Sequence, residues 1–256
     1  MHVAITNEQA PPSVLFLHGG NVAGWMWEGQ VAALADHHCL VPDLPGFGAS
    51  ADQDWTSLVD VADQLADIIG ERAHGGRAHV VGLSLGGILG SILTARHPER
   101  IHSTLVTGAA LRGVHGPTRW FGLAQLRLWD QRWYWNAMAR AFRLPEDAVA
   151  TFVSTGLGIR RENAVAMMTE VYDGVAPVDL DGLRGSEVPF LALAGEREPR
   201  TVAESFAELT SRSGAVTTRR VPRMHHTWNA EDPALFNEVL RDWLTSGAVN
   251  RLLMPA

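Results

Sequence analysis

The chain has 256 residues, 46% of them hydrophobic and 19% charged, which suits one large packed domain and excludes a disordered chain. Its formal net charge is -7 and no basic stripe stands out, so nucleic acid is not an expected partner. All 21 basic residues are arginine, which removes lysine-based chemistry such as a Schiff base, and the single cysteine, Cys39, excludes an internal disulfide.

Met1 to Asn7 shows no basic segment followed by an apolar run, so no signal peptide is expected. Together with the lone cysteine this leads to the expectation of a cytoplasmic protein. Ser13 to Leu17 reads as a fully buried strand, followed by a helical pattern from Trp27 to Asp36. Cys39 to Val41 is a second strand, and Leu58 to Arg72 a second helix. Ala78 to Val81, a helix over Gly86 to Arg96, and Ser103 to Val106 continue the alternation. The most apolar stretch, Ala78 to Ala95, is near membrane-spanning length. It contains His79, Ser84, Ser91, Thr94 and several glycines, so it reads as a buried strand leading into a buried helix, and no membrane association is expected.

From about Leu111 to Asp181 no strand is evident. Tryptophans 120, 129, 133 and 135 crowd the first half of this region, and Glu146 to Phe152 and Glu162 to Tyr172 read as helices. Alternation then resumes with Phe190 to Ala194, a helix over Thr201 to Arg212, and Val216 to Val221, whose mixed pattern suits a place near a sheet edge. The closing helix, Pro233 to Leu244, has a start signal in Asp232 followed by Pro233. The expected architecture is α/β, a doubly wound, mostly parallel sheet with a helical cap insertion. Residues 1–110 and 182–256 form the core and 111–181 the cap.

Four segments carry chemistry. Gly82-Leu83-Ser84-Leu85-Gly86 joins a buried strand to a helix, the setting in which a sharp turn projects a serine hydroxyl from the sheet. The amide of Leu85, at the helix start, is free to receive an oxyanion. His18-Gly19-Gly20-Asn21 follows the first buried strand, and its backbone can aim a second N–H at the same point. Gly20 is the first choice of donor and Asn21 the next, while His18 is expected to brace the loop rather than act as a base. His225-His226 follows the last strand on a loop that can reach the serine, and these two residues alone leave open which is the base. Gly195-Glu196-Arg197-Glu198 ends the preceding strand. A carboxylate there can orient the histidine, with Glu198 the better candidate and Glu196 the better surface charge.

With these segments in hand, the chain resembles the α/β-hydrolase superfamily, in its small-cap group of esterases, lactonases, C–C hydrolases and cofactor-free haloperoxidases. The resemblance rests on His18-Gly19-Gly20 with Trp27, on Pro42 to Ser50, on Gly82 to Gly87, and on His226 followed by Glu231-Asp232-Pro233. It implies His226 rather than His225 as base and Glu198 as acid, although aspartate is more usual at that position. Some members place the acid after the preceding strand, where this chain has Thr107-Gly108-Ala109-Ala110 and no carboxylate. Many members begin with a hairpin, and the short N-terminus predicts a sheet one strand short.

The resemblance further implies a serine hydrolase of carboxylic esters or lactones. Ser84 is the nucleophile, and Gly20 and Leu85 form the oxyanion hole. Asn21, Trp129 and Trp133 are the expected substrate contacts, unless the tryptophans simply glue the cap to the core. No metal or organic cofactor is expected. The partners are a small-molecule substrate and at most a second copy of the chain. The same triad also serves C–C hydrolases, lyases and haloperoxidases, and a non-catalytic receptor is the competing class.

Overall fold

The computed structural model describes residues 1–256. Eight strands form one sheet in the order β1-β3-β2-β4-β5-β6-β7-β8. They are β1 His2–Thr6, β2 Ser13–Leu17, β3 His38–Asp43, β4 Ala78–Leu83, β5 Ile101–Thr107, β6 Phe190–Gly195, β7 Val216–Val221 and β8 Met254–Pro255. The inner six run parallel, and β1 and β8 close the two edges as antiparallel strands.

The continuous apolar strands arise because alternate residues feed two separate cores. In β2, Leu15 and Leu17 enter one apolar layer, and Val14 and Phe16 enter the other. Ten helices follow in chain order: α1 Glu28–Ala33, α2 Leu58–Arg72, α3 Leu85–Arg96, α4 Gly116–Ala124, α5 Arg132–Ala141, α6 Glu146–Gly158, α7 Arg161–Asp173, α8 Arg200–Thr210, α9 Trp228–Glu231 and α10 Pro233–Ser246. Residues of α2, α3 and the cap share the larger layer, and those of α10 occupy the smaller one. Local signals hold the boundaries. Ser57 accepts from the Asp60 amide at 3.0 Å to start α2, and Asp232 accepts from the Leu235 amide at 3.0 Å to start α10. Eleven of the twelve residues of α3 are buried, which accounts for its apolar sequence, and no helix is long and apolar enough to cross a membrane.

Two expectations change. The sheet is not a strand short, because His2–Thr6 pairs along β3, with Val3 and Ile5 half-buried and their neighbours exposed. The first helical pattern, Trp27 to Asp36, is realised as the shorter α1, Glu28–Ala33, entered through a 3-10 turn over Gly24–Trp27. Arg112 and Gly174 form an isolated bridge where the cap segment leaves and rejoins the sheet, and Leu180 and Leu183 pack in the same apolar layer as Ile92 of α3.

Candidate active site

The turn from β4 to α3 folds as it does for steric reasons. A side chain on Gly82 would put its Cβ 2.2 Å from the Gly86 carbonyl oxygen, and one on Gly86 would lie 2.0 Å from that of Leu17. Ser84 between them takes φ 57° and ψ -116°, a conformation that costs a non-glycine residue free energy and persists only where the surroundings impose it. Its amide donates to the Thr107 carbonyl at 2.9 Å, which locks the turn onto the end of β5. Ser84, Leu85 and Gly20 line one cavity of about 460 Å³ beneath the cap, together with His226.

The loop after β7 gives the two histidines different partners. His226 Nδ1 donates to Glu198 Oε1 at 2.5 Å, and Glu198 Oε2 accepts from the Gly195 amide at 2.6 Å. A carboxylate only accepts, so in a neutral imidazole the proton sits on Nδ1 and Nε2 keeps its lone pair. The Glu198 side chain is 1% exposed, a buried charge held by two donors. His225 instead binds Glu231, through its Nδ1 at 2.9 Å and its amide at 2.8 Å. Burial alone would raise the Glu231 carboxyl, but the two His225 hydrogen bonds, together with the charges of His225 and Arg143, hold the group below its usual value. Glu196 accepts from the Arg223 amide at 2.7 Å and so braces the loop. Trp228, fully buried, donates from Nε1 to Thr107 Oγ1 at 2.8 Å, anchoring this loop to the same strand end that holds Ser84.

His18 is a brace. Its Nδ1 donates to the Gly19 carbonyl at 2.8 Å and its Nε2 accepts from the Leu44 amide at 3.0 Å. Burial pushes its pKa down to about 4, against the opposing pull of the Gly19 hydrogen bond and Asp43, so the ring stays neutral. Gly20 and Asn21 reach the cavity, and Asn21 takes the left-handed φ of 74° that asparagine tolerates.

Trp129 and Trp133 do not reach the cavity. Trp129 is 3% exposed and packs edge-on against Trp135, at 4.7 Å between centroids, inside the cap. Trp133 is 60% exposed on the outer surface. The cap wall is made instead by Phe142, Leu144, Met167, Met168 and Val171. The last three share one face of α7, which the helical pattern over 162–172 already contained. Glu170 and Asn163 hold α7 to the core by accepting from the Trp55 indole at 2.7 Å and the Trp55 amide at 2.9 Å.

The sequence model described as "Alpha/beta hydrolase family" matches residues 14–239. The chain belongs to the alpha/beta hydrolase family. An "AB hydrolase superfamily protein" of Gibberella zeae is 28% identical over 91% of this chain and 79% of its own length. A "Pimeloyl-[acyl-carrier protein] methyl ester esterase" of Aeromonas salmonicida is 27% identical over 94% and 98%. Among solved structures, the enol-lactonase of Burkholderia xenovorans superposes with a TM-score of 0.75 at 22% identity, over 96% of each chain. This last likeness shows the alpha/beta hydrolase fold.

Proposed function

We propose that the protein is a serine hydrolase that cleaves a carboxylic ester or lactone of a small, largely apolar substrate through an acyl-enzyme. One observation carries the reading: Ser84, on a strained strand-to-helix turn, shares a cavity with His226, whose Nδ1 is held by the buried Glu198. In this mechanism His226 takes the Ser84 proton through Nε2 as the hydroxyl oxygen attacks the carbonyl carbon. The Gly20 and Leu85 amides receive the oxyanion, and His226 returns the proton to the departing alcohol. Water then attacks the acyl carbon with the roles of His226 repeated, releasing the acid and restoring Ser84. Relatives named as an esterase and a lactonase act on bonds of this class, which supports the same chemistry here. The apolar lining of Phe142, Leu144 and the α7 methionines suits an apolar acyl group.

The test is an intact-mass measurement after exposure to an organophosphonate, with turnover of a short-chain aryl ester in parallel. The wild type is expected to gain one adduct and to hydrolyse the ester, and Ser84→Ala to do neither. An unlabelled wild type without turnover overturns the reading in favour of a binding protein.

A further inference from the structure

Resting on that hydrolase reading, we infer that Thr107 and Trp228 are positioning residues, whose buried hydrogen bond holds the His226 loop in place against the Ser84 turn. Neither residue lines the cavity, so both act through their neighbours. Thr107, the last residue of β5, is fully buried, as is Trp228. Thr107 holds the two halves of the site by different groups. Its carbonyl accepts from the Ser84 amide at 2.9 Å, and its Oγ1 accepts from Trp228 Nε1 at 2.8 Å. Trp228 follows His226 by two residues. One residue of the sheet thus fixes the nucleophile through its main chain and the base through its side chain.

The next residue extends the pattern to the third member of the site. A Cβ on Gly108 would lie 2.7 Å from His226 Cε1 and 3.1 Å from Glu198 Oε1, so the imidazole and the carboxylate both rest on the main chain that follows Thr107. The Gly108 amide donates to the Leu193 carbonyl at 3.1 Å, which ties this strand end to β6. The other ties of the His226 loop lead elsewhere. The Met224 carbonyl accepts from the Arg197 amide at 3.0 Å, Thr227 Oγ1 donates to the Phe142 carbonyl of the cap at 3.1 Å, and Asn229 Nδ2 donates to the Met26 carbonyl at 3.3 Å. The Trp228 bond is the tie from this loop to the strand that also holds Ser84.

Apolar packing and the hydrogen bond do different things for the indole. Trp228 lies 4.4 Å from Phe236 between ring centroids, in the same apolar layer as Leu83 and Leu105, and this contact buries the ring. The bond to Thr107 sets its orientation, because a buried N–H without an acceptor carries the full desolvation penalty. With valine at position 107 the indole either keeps its place and leaves that donor unmet, or tilts and carries the backbone of the loop with it. His226, two residues away, must bring Nε2 within hydrogen-bond reach of the Ser84 hydroxyl. A displacement of about 1 Å at such a contact costs on the order of 100-fold in rate.

The experiment measures kcat and KM on a short-chain aryl ester for Thr107→Val, Thr107→Ser, Trp228→Phe and the double variant Thr107→Val/Trp228→Phe. Rates are taken per active site, counted by intact mass after exhaustive phosphonate labelling, so unfolded protein does not enter them. Thr107→Val and Trp228→Phe are each expected to lower kcat by at least about tenfold with KM within about twofold of wild type. Thr107→Ser keeps the hydroxyl and is expected to stay within about threefold of wild type. The double variant is expected to be no slower than the slower single one, because both remove the same bond. A kcat loss below about tenfold, a rise in KM in its place, no rescue by serine, or losses that multiply in the double variant overturns this inference and leaves the hydrolase reading intact. Should Thr107→Val fail to fold, Trp228→Phe reads the same bond from its other end by the same threshold. Absence of turnover together with absence of the phosphonate adduct in the wild type overturns both.

Discussion

Replacing Glu198 by glutamine asks whether the buried acid orients His226 or merely fills space. The carboxylate faces two donors, His226 Nδ1–H at 2.5 Å and the Gly195 amide at 2.6 Å, in a setting that is 1% exposed. Glutamine has one acceptor oxygen and one NH₂. If its oxygen serves Gly195, the NH₂ faces Nδ1 and selects the imidazole tautomer with the proton on Nε2, which cannot accept from Ser84. If its oxygen serves Nδ1, a buried donor is driven against the Gly195 amide. The first arrangement removes the base and the second keeps it only against a buried clash of two donors, and wrong-tautomer losses in serine hydrolases reach about 10⁴ in kcat, close to 5.5 kcal/mol of barrier. The expected result for Glu198→Gln is a fall of 10³ to 10⁴-fold (~4–5.5 kcal/mol) in kcat on an aryl ester, with KM changed little. Glu198→Asp keeps the charge but withdraws it by one methylene from a 2.5 Å contact, and an intermediate loss of about 10 to 100-fold is expected. Stopped-flow or plate assays with thermal melts on the same samples decide the matter. Glu198→Gln that stays within tenfold of wild type while remaining folded refutes the assignment.

Three further outcomes follow from the same geometry. Gly108→Ala would place a Cβ 2.7 Å from His226 Cε1 at a φ of +67°, so hydrolysis should fall at least about 100-fold through a displaced imidazole, visible as a lost ester rate in a folded protein. His225→Ala loses only the ring contact to Glu231, keeps the amide one, and should keep most activity, whereas His226→Ala should match Ser84→Ala in a side-by-side rate assay. His18 has a folded pKa of about 4 against 6.5 when unfolded. The unfolded chain therefore binds the proton first as pH falls, and the stability tied to the neutral ring is lost between about pH 6.5 and 4. The loss is about 2 kcal/mol by pH 5. Urea midpoints at pH 7 and pH 5 should show a flatter acid dependence for His18→Gln than for wild type.

The sheet was legible because its strands are buried on both faces, and a strand feeding two cores has no polar side to blur it. Ser84 was legible for a steric reason: Gly82 and Gly86 stand where any side chain would strike backbone oxygen, so the motif records close packing rather than a habit of composition. The histidine that meets Glu198 was only half legible. His225 and His226 are chemically identical, and what separates them is Glu231, six residues beyond His225, whose carboxylate takes both its ring and its amide. The N-terminal strand was readable in the alternation of Val3 and Ile5 but is too short and too exposed to compete with the stronger runs. The two residues of β8 carry no signal at all.

The cap escaped for a different reason. Aromatic composition says that a segment buries surface, but not against what. Trp129 and Trp135 bury theirs against each other, with the Trp135 indole donating to the Trp129 carbonyl at 2.6 Å, and so they build the cap rather than the pocket. The wall over Ser84 is set by polar residues that never touch it. Glu170 and Asn163 clasp the Trp55 segment, and the helical period then dictates that Met167, Met168 and Val171 turn toward the cavity. A helix face becomes a cavity wall once its adjoining edge has been tied down: Asn163 and Glu170 lie four residues before and three after Met167, on its side of α7. That tie runs between residues more than 100 positions apart, a separation at which neither periodicity nor motif spacing carries information.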